Sequence, residues 1–318
     1  MPTAGQMLLI DTLVPLVLLI VLGAGLARIR FLGPAFMADL NKLAFWIALP
    51  ALLFTSANQA AAPDGTTLRL FAVLVVGTAC ITLIALGASF ALKMPRSARG
   101  TLMQSAFRGN LAYIGIPVLA YGFAENPTEG NDRALATAVI VMVLTMALYN
   151  ILAVIVLQSS THSSRGIDLR RATLSIVSNP LLLAGLLGLI LSMLKITLPS
   201  FLQRALESLG AAAVPIALMC IGGSLATTRM QGRRSWIVTA ALLKVAVLPG
   251  LVFLLSRIAG LELAEQRTAL VLSSCPTAAA AFVMARQMGG DETLASGSIA
   301  LSTLLSFISL GTVLWATS

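Results

Sequence analysis

Helix-breaking residues interrupt one of the most apolar stretches of the chain, 109-GNLAYIGIPVLAYG-122. Gly115 and Pro117 lie near its middle, and a proline inside a helix removes one backbone donor and blocks the carbonyl four residues earlier. In an apolar environment the freed groups need other partners. Because a half-helix N-terminus attracts an anion and free carbonyl oxygens attract a cation, this stretch is a candidate ligand site.

A second apolar run is interrupted in the same way at 273-SSCPT-277, where Ser273, Ser274, Cys275, Pro276 and Thr277 place a proline among short polar side chains. Pro117 and Pro276 are separated by 276 − 117 = 159 residues. We predict that the two interruptions occupy matching places in two halves of the chain and together form a central site. A single such proline would indicate only a kinked helix.

Two amides and a tyrosine extend the candidate site. Asn110 lies about two turns before Pro117, and its amide donates to a carboxylate as well as accepting from a partner. Asn150 is a second amide deep in an apolar run, and Tyr113 adds a hydroxyl on an aromatic ring. The alternatives are bonds between helices for the amides and anchoring at the membrane interface for the tyrosine.

Lys244 is a charged residue in the middle of 236-WIVTAALLKVAVLPGLVFLL-255. An ammonium near the centre of a bilayer costs about 2.5–3.5 kcal/mol, so Lys244 should face a cavity or a partner. Two roles are open for it. One is attraction of an anion or a part in a conformational change, and the other is a structural bond to the carbonyls of a broken helix.

Several kinds of chemistry lack the residues they need. The single histidine, His162, lies in the polar loop THSSRG, so a histidine metal site or a catalytic triad is not expected. No acidic residue lies plainly in the middle of an apolar run, which disfavours both a membrane-embedded enzyme and proton coupling through a buried carboxylate. We therefore expect no catalytic residue, no metal site and no cofactor, and leave a proton or sodium as the coupling ion open.

The elements that must position these residues are membrane-spanning helices. The chain has 318 residues, of which 58% are hydrophobic and 10% charged, and its mean hydropathy is +0.94. Apolar runs of about twenty residues recur along it, long enough to cross a bilayer as helices. Ten spans are predicted, beginning near residues 7, 41, 68, 103, 134, 173, 209, 236, 268 and 293. The net charge is +9, but the basic residues form no basic domain, so nucleic acid is not an expected partner.

The basic residues predict the orientation of these spans. If the chain begins outside the cytoplasm, the cytoplasmic side holds 14 Lys and Arg residues, with Arg108 among them, and the opposite side holds 6. The positive-inside rule then places both termini outside, in what we expect to be a bacterial inner membrane.

An internal repeat follows from the count of spans and from spacing. Two groups of five spans run antiparallel, and an offset of 165 residues pairs Pro15 with Pro180, Gly23 with Gly188, Pro34 with Pro199, Phe36 with Phe201, and Pro50 with Pro215. We predict an all-α membrane protein with inverted five-helix repeats at 1–160 and 167–318.

Four motifs resemble those of the auxin efflux carrier family, in order and in spacing. They are 40-LNKLAFWIALPALLF-54, 108-RGNLAYIGIPVLAYG-122, 209-LGAAAVPIALMCIGGSLA-226 and 276-PTAAAAFVMARQMGGD-291. The resemblance implies ten helices, scaffold and transport domains built from both repeats, and a crossing of broken helices 4 and 9 like that in bile-acid sodium symporters. It also implies that Pro117 and Pro276 are the prolines of the crossing, that Asn110 is a substrate-site amide, and that Asn150 matches an asparagine of the fifth helix.

We therefore expect its function to be that of a secondary transporter of small organic anions, which works by an elevator-like motion of the helices around the crossing. A sodium-coupled symporter, a ligand sensor without transport and a membrane-embedded enzyme are the alternatives. The expected partners are the anion and the lipid bilayer, with a homodimer left open.

Overall fold

The computed structural model describes residues 4–59, 64–124, 129–161, 178–227 and 232–317. Within these ranges the chain is helical, and its only β-type pairing is one isolated antiparallel bridge. The helices are α1 (Ala4–Arg28), α2 (Pro34–Asn58), α3 (Gly65–Ala91), α4 (Arg96–Phe107), α5 (Leu111–Gly115 continuing as Ile116–Ala124), α6 (Glu129–Thr161), α7 (Pro180–Met193), α8 (Ser200–Thr227), α9 (Arg234–Ile258), α10 (Leu263–Ser274), α11 (Ala280–Gln287) and α12 (Glu292–Ala316).

Six of the described helices are long and apolar enough to cross a membrane. They are α2, α3, α8, α9, α12 and, over residues 137–161, α6. Shorter apolar helices accompany them in α1, α5 and α7. Large apolar side chains such as Leu18, Val21 and Leu83 remain exposed on helix surfaces, where a bilayer would cover them. The prediction of an all-helical, multi-pass membrane protein is confirmed.

Two of the predicted spans are divided into two helices each. The chain leaves helical geometry between α4 and α5, at Arg108–Asn110, and again between α10 and α11, after Ser274. Each break leaves one helix C-terminus and one helix N-terminus inside the molecule, and these are the groups that the candidate site uses.

Three prolines are accommodated by wide π-helical turns. Such a turn spans Ala44–Ala48 before Pro50, Leu111–Gly115 before Pro117, and Leu243–Val247 before Pro249. An extra residue in the turn moves the carbonyl that the proline ring would otherwise meet. Pro215, expected to be the equivalent of Pro50, lies in α8 without a π turn before it, so the local conformations at the two prolines differ.

Glycines bring some helices into backbone contact, and we call these the glycine contacts. A methyl group on Gly23 of α1 would clash with the backbone of Met219 in α8, and one on Gly188 of α7 would clash with the carbonyl of Phe54 in α2. Gly222 of α8 is equally tight against the backbone of α1. Small residues allow this approach, which supplies dispersion contacts that lipid alone does not replace.

The packing partners of the remaining helices place the broken segments in the interior. α4 packs against α3 and α6, while α9 packs against α3, α10 and α12. α5 lies between α1 and α6, and α11 packs on α12. The two breaks are thus surrounded by α6, α9 and α12, which supply the polar side chains described next.

Candidate functional site

The two helix breaks meet directly. Gly109 and Thr277 form the isolated antiparallel bridge. The backbone amide of Asn110 donates to the Pro276 carbonyl at 2.7 Å, and the backbone amide of Ala278 donates to the Arg108 carbonyl at 2.9 Å. These bonds satisfy backbone groups that neither helix satisfies, which is required in a membrane interior. We call Arg108–Asn110, Cys275–Ala278 and the bridge between them the junction.

The two breaks have different local causes. Pro276 disfavours helical geometry at the preceding residue, and Cys275 is accordingly extended, with φ −55° and ψ 139°. The first break has no proline. Gly109 permits a close approach there, because a Cβ would lie 2.9 Å from Leu111 Cδ2 and 3.4 Å from the Leu272 carbonyl oxygen.

The first interruption was expected at Gly115–Pro117, and this is corrected by the structure. Pro117 lies in α5 beyond the break and is accommodated by the π turn before it, so it does not itself mark the break as Pro276 does. The physical reason is that a proline within a helix is tolerated when the turn widens, whereas the bridge at Gly109 cannot form inside a helix.

Lys244 reaches the junction from α9. Its ammonium donates to the Ser273 carbonyl at 2.6 Å, near the C-terminus of α10, and the residue is fully buried. A Cβ on Gly109 would lie 3.5 Å from Lys244 Nζ, so the charge stands directly beside the first break as well. The sequence-based expectation of a partner or cavity for this lysine is met by a broken-helix carbonyl.

Arg108 is the site residue that the sequence analysis missed, because it was counted among the cytoplasmic charges. It is only 6% exposed, and its guanidinium donates to Asn150 Oδ1 at 2.5 Å and to the Tyr149 carbonyl at 3.3 Å. The available signal was its position inside the span predicted from residue 103. Like Lys244, a charge at such a position is expected to have a buried partner or a cavity.

Hydroxyl and amide groups surround the junction. Thr277 donates from Oγ1 to the Ser105 carbonyl at 2.8 Å, and its backbone amide donates to Ser302 Oγ at 3.0 Å. Among the described residues six buried side-chain atoms have no hydrogen-bond partner, and three of them are in residues beside the junction: Gln104 Oε1, Ser105 Oγ and Ser274 Oγ. Because an unpaired buried polar group costs about 1–3 kcal/mol, unpaired groups beside the junction favour a binding role.

Two helix N-termini at the junction are accessible. Asn110 is half-buried and caps α5 by accepting from the Tyr113 amide at 3.4 Å. Ala279 at the start of α11 is exposed and offers no side-chain cap, and the Ala281 and Phe282 amides donate to the Ala278 and Ala279 carbonyls at 2.9 and 3.1 Å. The positive end of the helix dipole at each N-terminus attracts negative charge.

The structure brings most of the predicted site residues together. Those at the junction or in contact with it are Asn110, Gly115, Asn150, Lys244, Ser273, Ser274, Cys275, Pro276 and Thr277. Gly115 belongs to this set because a Cβ there would lie 3.3 Å from Cys275 Sγ. Tyr113 is directed elsewhere, since its hydroxyl donates to Asn41 Oδ1 of α2 at 3.1 Å.

Among the described side chains, the buried charges are all positive. Arg108 and Lys244 are both buried, whereas no aspartate or glutamate whose side chain is described is buried. Their contacts are with neutral carbonyl and amide oxygens. Over the described part of the chain, no group of His, Cys, Asp and Glu residues is arranged to hold a metal ion. Such a site suits an anionic ligand better than a metal cation.

A multi-pass helical membrane protein with broken helices meeting at a buried polar centre has the organisation of a transporter. The chain belongs to the family described as membrane transport protein, whose model matches residues 8–314 and to which the auxin efflux carriers belong. The resemblance seen in the sequence motifs is thereby confirmed.

Two relatives are similar over most of their length. An uncharacterized transporter of Methanocaldococcus jannaschii is 26% identical over 275 residues, covering 85% of this chain and 86% of the relative. A Rhizobium meliloti protein named "Putative malonate transporter" is 27% identical over 283 residues, covering 85% of this chain and 83% of the relative.

Proposed function

We propose that the protein is a secondary transporter of small organic anions, namely carboxylates, that works by elevator-like alternating access. The observation that carries the proposal is the pair of buried cations, Arg108 and Lys244, beside a junction of two helix breaks without a buried carboxylate among the described side chains. An anion would compensate this charge, and the name of the Rhizobium meliloti relative supports malonate as the first substrate to test.

The anion would bind where the N-termini of α5 and α11 face the accessible side of the junction. Its carboxylate would lie at the positive end of the α11 dipole and accept from the Asn110 side-chain amide. Arg108 would attract the anion through the electrostatic field of its guanidinium, and it would hold Asn150 in position. No enzymatic step, cofactor or resident metal is part of this mechanism.

The glycine contacts support the inverted repeat that the mechanism needs. Gly23 and Gly188 differ by 165 residues, and so do their respective partners Met219 and Phe54, because 219 − 54 = 165. The same close contact therefore occurs twice at the offset read from the sequence. We propose repeats at 1–160 and 167–318, each contributing five of ten spans, with α4/α5 and α10/α11 as the broken fourth and ninth spans.

The packing of the helices supports a division into two moving parts. α1, α2, α7 and α8 are joined by the glycine contacts and would form the scaffold. The helices around the junction would form the transport domain and carry the bound anion across the membrane. We further propose a cell-membrane location with both termini outside, since counting Arg108 as buried still leaves the predicted cytoplasmic side the more basic. A homodimer stays open.

Transport of radiolabelled malonate by proteoliposomes tests the function. We expect uptake into malonate-loaded vesicles by the wild type, and a loss of about tenfold or more in Asn110→Ala. Asn131→Ala, which changes an asparagine far from the junction in the sequence, is the matched control and should transport normally. Wild-type vesicles that exchange none of a panel of mono- and dicarboxylates would contradict the proposal.

Thermal unfolding separates binding from transport in the same preparations. A ligand that binds the folded state raises its melting temperature even when no transport occurs. Stabilisation by malonate without flux would identify a sensor instead, and malonate uptake that requires sodium would identify a sodium-coupled symporter.

A further inference from the structure

Lys244 occupies a defined place at the end of a half-helix. It lies in the π turn Leu243–Val247 of α9, fully buried, and donates to the Ser273 carbonyl at 2.6 Å. That carbonyl belongs to the last turn of α10, where Pro276 has ended the helix. Carbonyls in the last turn of a helix have no partner within it.

The surroundings of the ammonium are those of a cation site. The negative end of the α10 dipole points at it, and the Leu272 carbonyl oxygen and Lys244 Nζ both lie close to Gly109. In broken-helix transporters such half-helix C-termini and unwound carbonyls are the groups that coordinate a small cation. Here the side chain of Lys244 supplies the cation.

Arg108 does not bond to the C-terminus of a half-helix in this way, although it directly follows α4. Its guanidinium reaches away to Asn150 and to the carbonyl of Tyr149 on α6. Lys244 is therefore the charge that bonds directly to a half-helix carbonyl at the junction. Among the described residues, no carboxylate that could hold a metal ion contacts the Lys244 ammonium.

We propose that Lys244 is a tethered cation, which takes the place of a diffusible coupling cation at the C-terminus of α10 and makes transport of the anion independent of sodium. This inference rests on the proposed function and specifies its coupling. The ammonium would move with the junction in both directions, so it would add no net charge over a complete cycle. The charge transported per cycle would be that of the anion alone.

Uptake of radiolabelled malonate in matched sodium and N-methyl-D-glucamine buffers tests the inference. Wild-type rates should agree within about twofold, whereas Lys244→Met, which keeps a long side chain but removes the charge, should be slower by about tenfold or more. The matched control is Lys195→Met, which removes an exposed lysine outside the junction and should leave the rate unchanged.

Replacement of the missing charge from solution gives the sharper result. Lys244→Ala vacates the position, and added ethylammonium, lithium or sodium ions should restore at least about a third of the wild-type rate. The same ions should raise the melting temperature of Lys244→Ala without malonate, and should leave that of the wild type unchanged. This second measurement does not depend on transport, so the cation site is tested even if malonate is not carried.

Three results would overturn the inference. They are sodium-dependent uptake by the wild type, a normal rate in folded Lys244→Met protein, and a Lys244→Ala variant that no small cation stabilises. Size-exclusion chromatography shows whether each variant is folded. Absence of malonate exchange by the wild type, together with cation stabilisation of Lys244→Ala, would reject the proposed function while leaving the cation site supported.

Discussion

The junction and the glycine contacts hold helices together by opposite means. At the glycine contacts the helices meet through backbone and small side chains, as at Gly23 against Met219 and Gly222 against Ile20. At the junction two broken helices are joined by backbone hydrogen bonds and surrounded by the buried charges of Arg108 and Lys244. Close apolar packing stabilises, whereas buried charges are costly to maintain. The difference indicates which region serves the fold and which serves a ligand.

The largest expected effect is the loss of the fold at the glycine contacts. In Gly222→Leu the new side chain would meet the backbone of α1 at Ile20, which cannot move as a side chain can. We expect destabilisation of about 3 kcal/mol or more and little monodisperse protein by size-exclusion chromatography. Gly25→Leu is the matched control, because nothing lies within 4 Å of a Cβ at Gly25. Equal yields from both variants would contradict the role assigned to these contacts.

The next largest effect is expected on transport rather than on stability. Arg108→Gln removes a buried charge but keeps a group that can bond to Asn150. We expect malonate transport to fall by about tenfold or more, with a melting temperature near that of the wild type. Arg28→Gln, on the exposed end of α1, is the control and should transport normally. A large fall in melting temperature with normal transport would assign Arg108 to the fold.

A smaller effect tests the fit between α5 and the second break. In Gly115→Ala the new methyl group would lie 3.3 Å from Cys275 Sγ, a contact that needs a slight displacement. We expect a several-fold slower rate, corresponding to about 1 kcal/mol. Adding Cys275→Ala should restore the rate, because it removes the sulfur, while adding Cys220→Ala should not. Independent, additive effects of Gly115→Ala and Cys275→Ala would show that the two positions are not in contact.

The smallest effect is expected at the hydrogen bond between Tyr113 of α5 and Asn41 of α2. This bond joins a helix of the proposed transport domain to one of the proposed scaffold, so it would exist in one conformation of the cycle. Tyr113→Phe should change the turnover rate by a few-fold, corresponding to about 1 kcal/mol, and leave the KM for malonate nearly unchanged. Asn41→Ala should have the same effect, and the double variant no more. Tyr121→Phe is the matched control.

The sequence predicted the helices better than it predicted the geometry between them. The spans expected to begin near residues 68 and 236 begin at Gly65 and Arg234, since hydropathy and length define a membrane helix locally. The interruption at Pro276 was also placed correctly, because a proline restricts its own neighbourhood. The break at Gly109 was misplaced to Pro117, since its cause is pairing with a segment that is distant in sequence.

The amino-acid sequence by itself determined that this chain is a multi-pass helical membrane protein, and its motifs determined the family. Apolar runs of spanning length leave the backbone no other way to satisfy its hydrogen bonds in lipid. Only the tertiary structure decided that Gly109 pairs with Thr277, that Arg108 is buried against Asn150, and that Lys244 bonds to Ser273. Those contacts join residues that are distant in the sequence, and no local preference of the chain specifies which groups will meet across the fold.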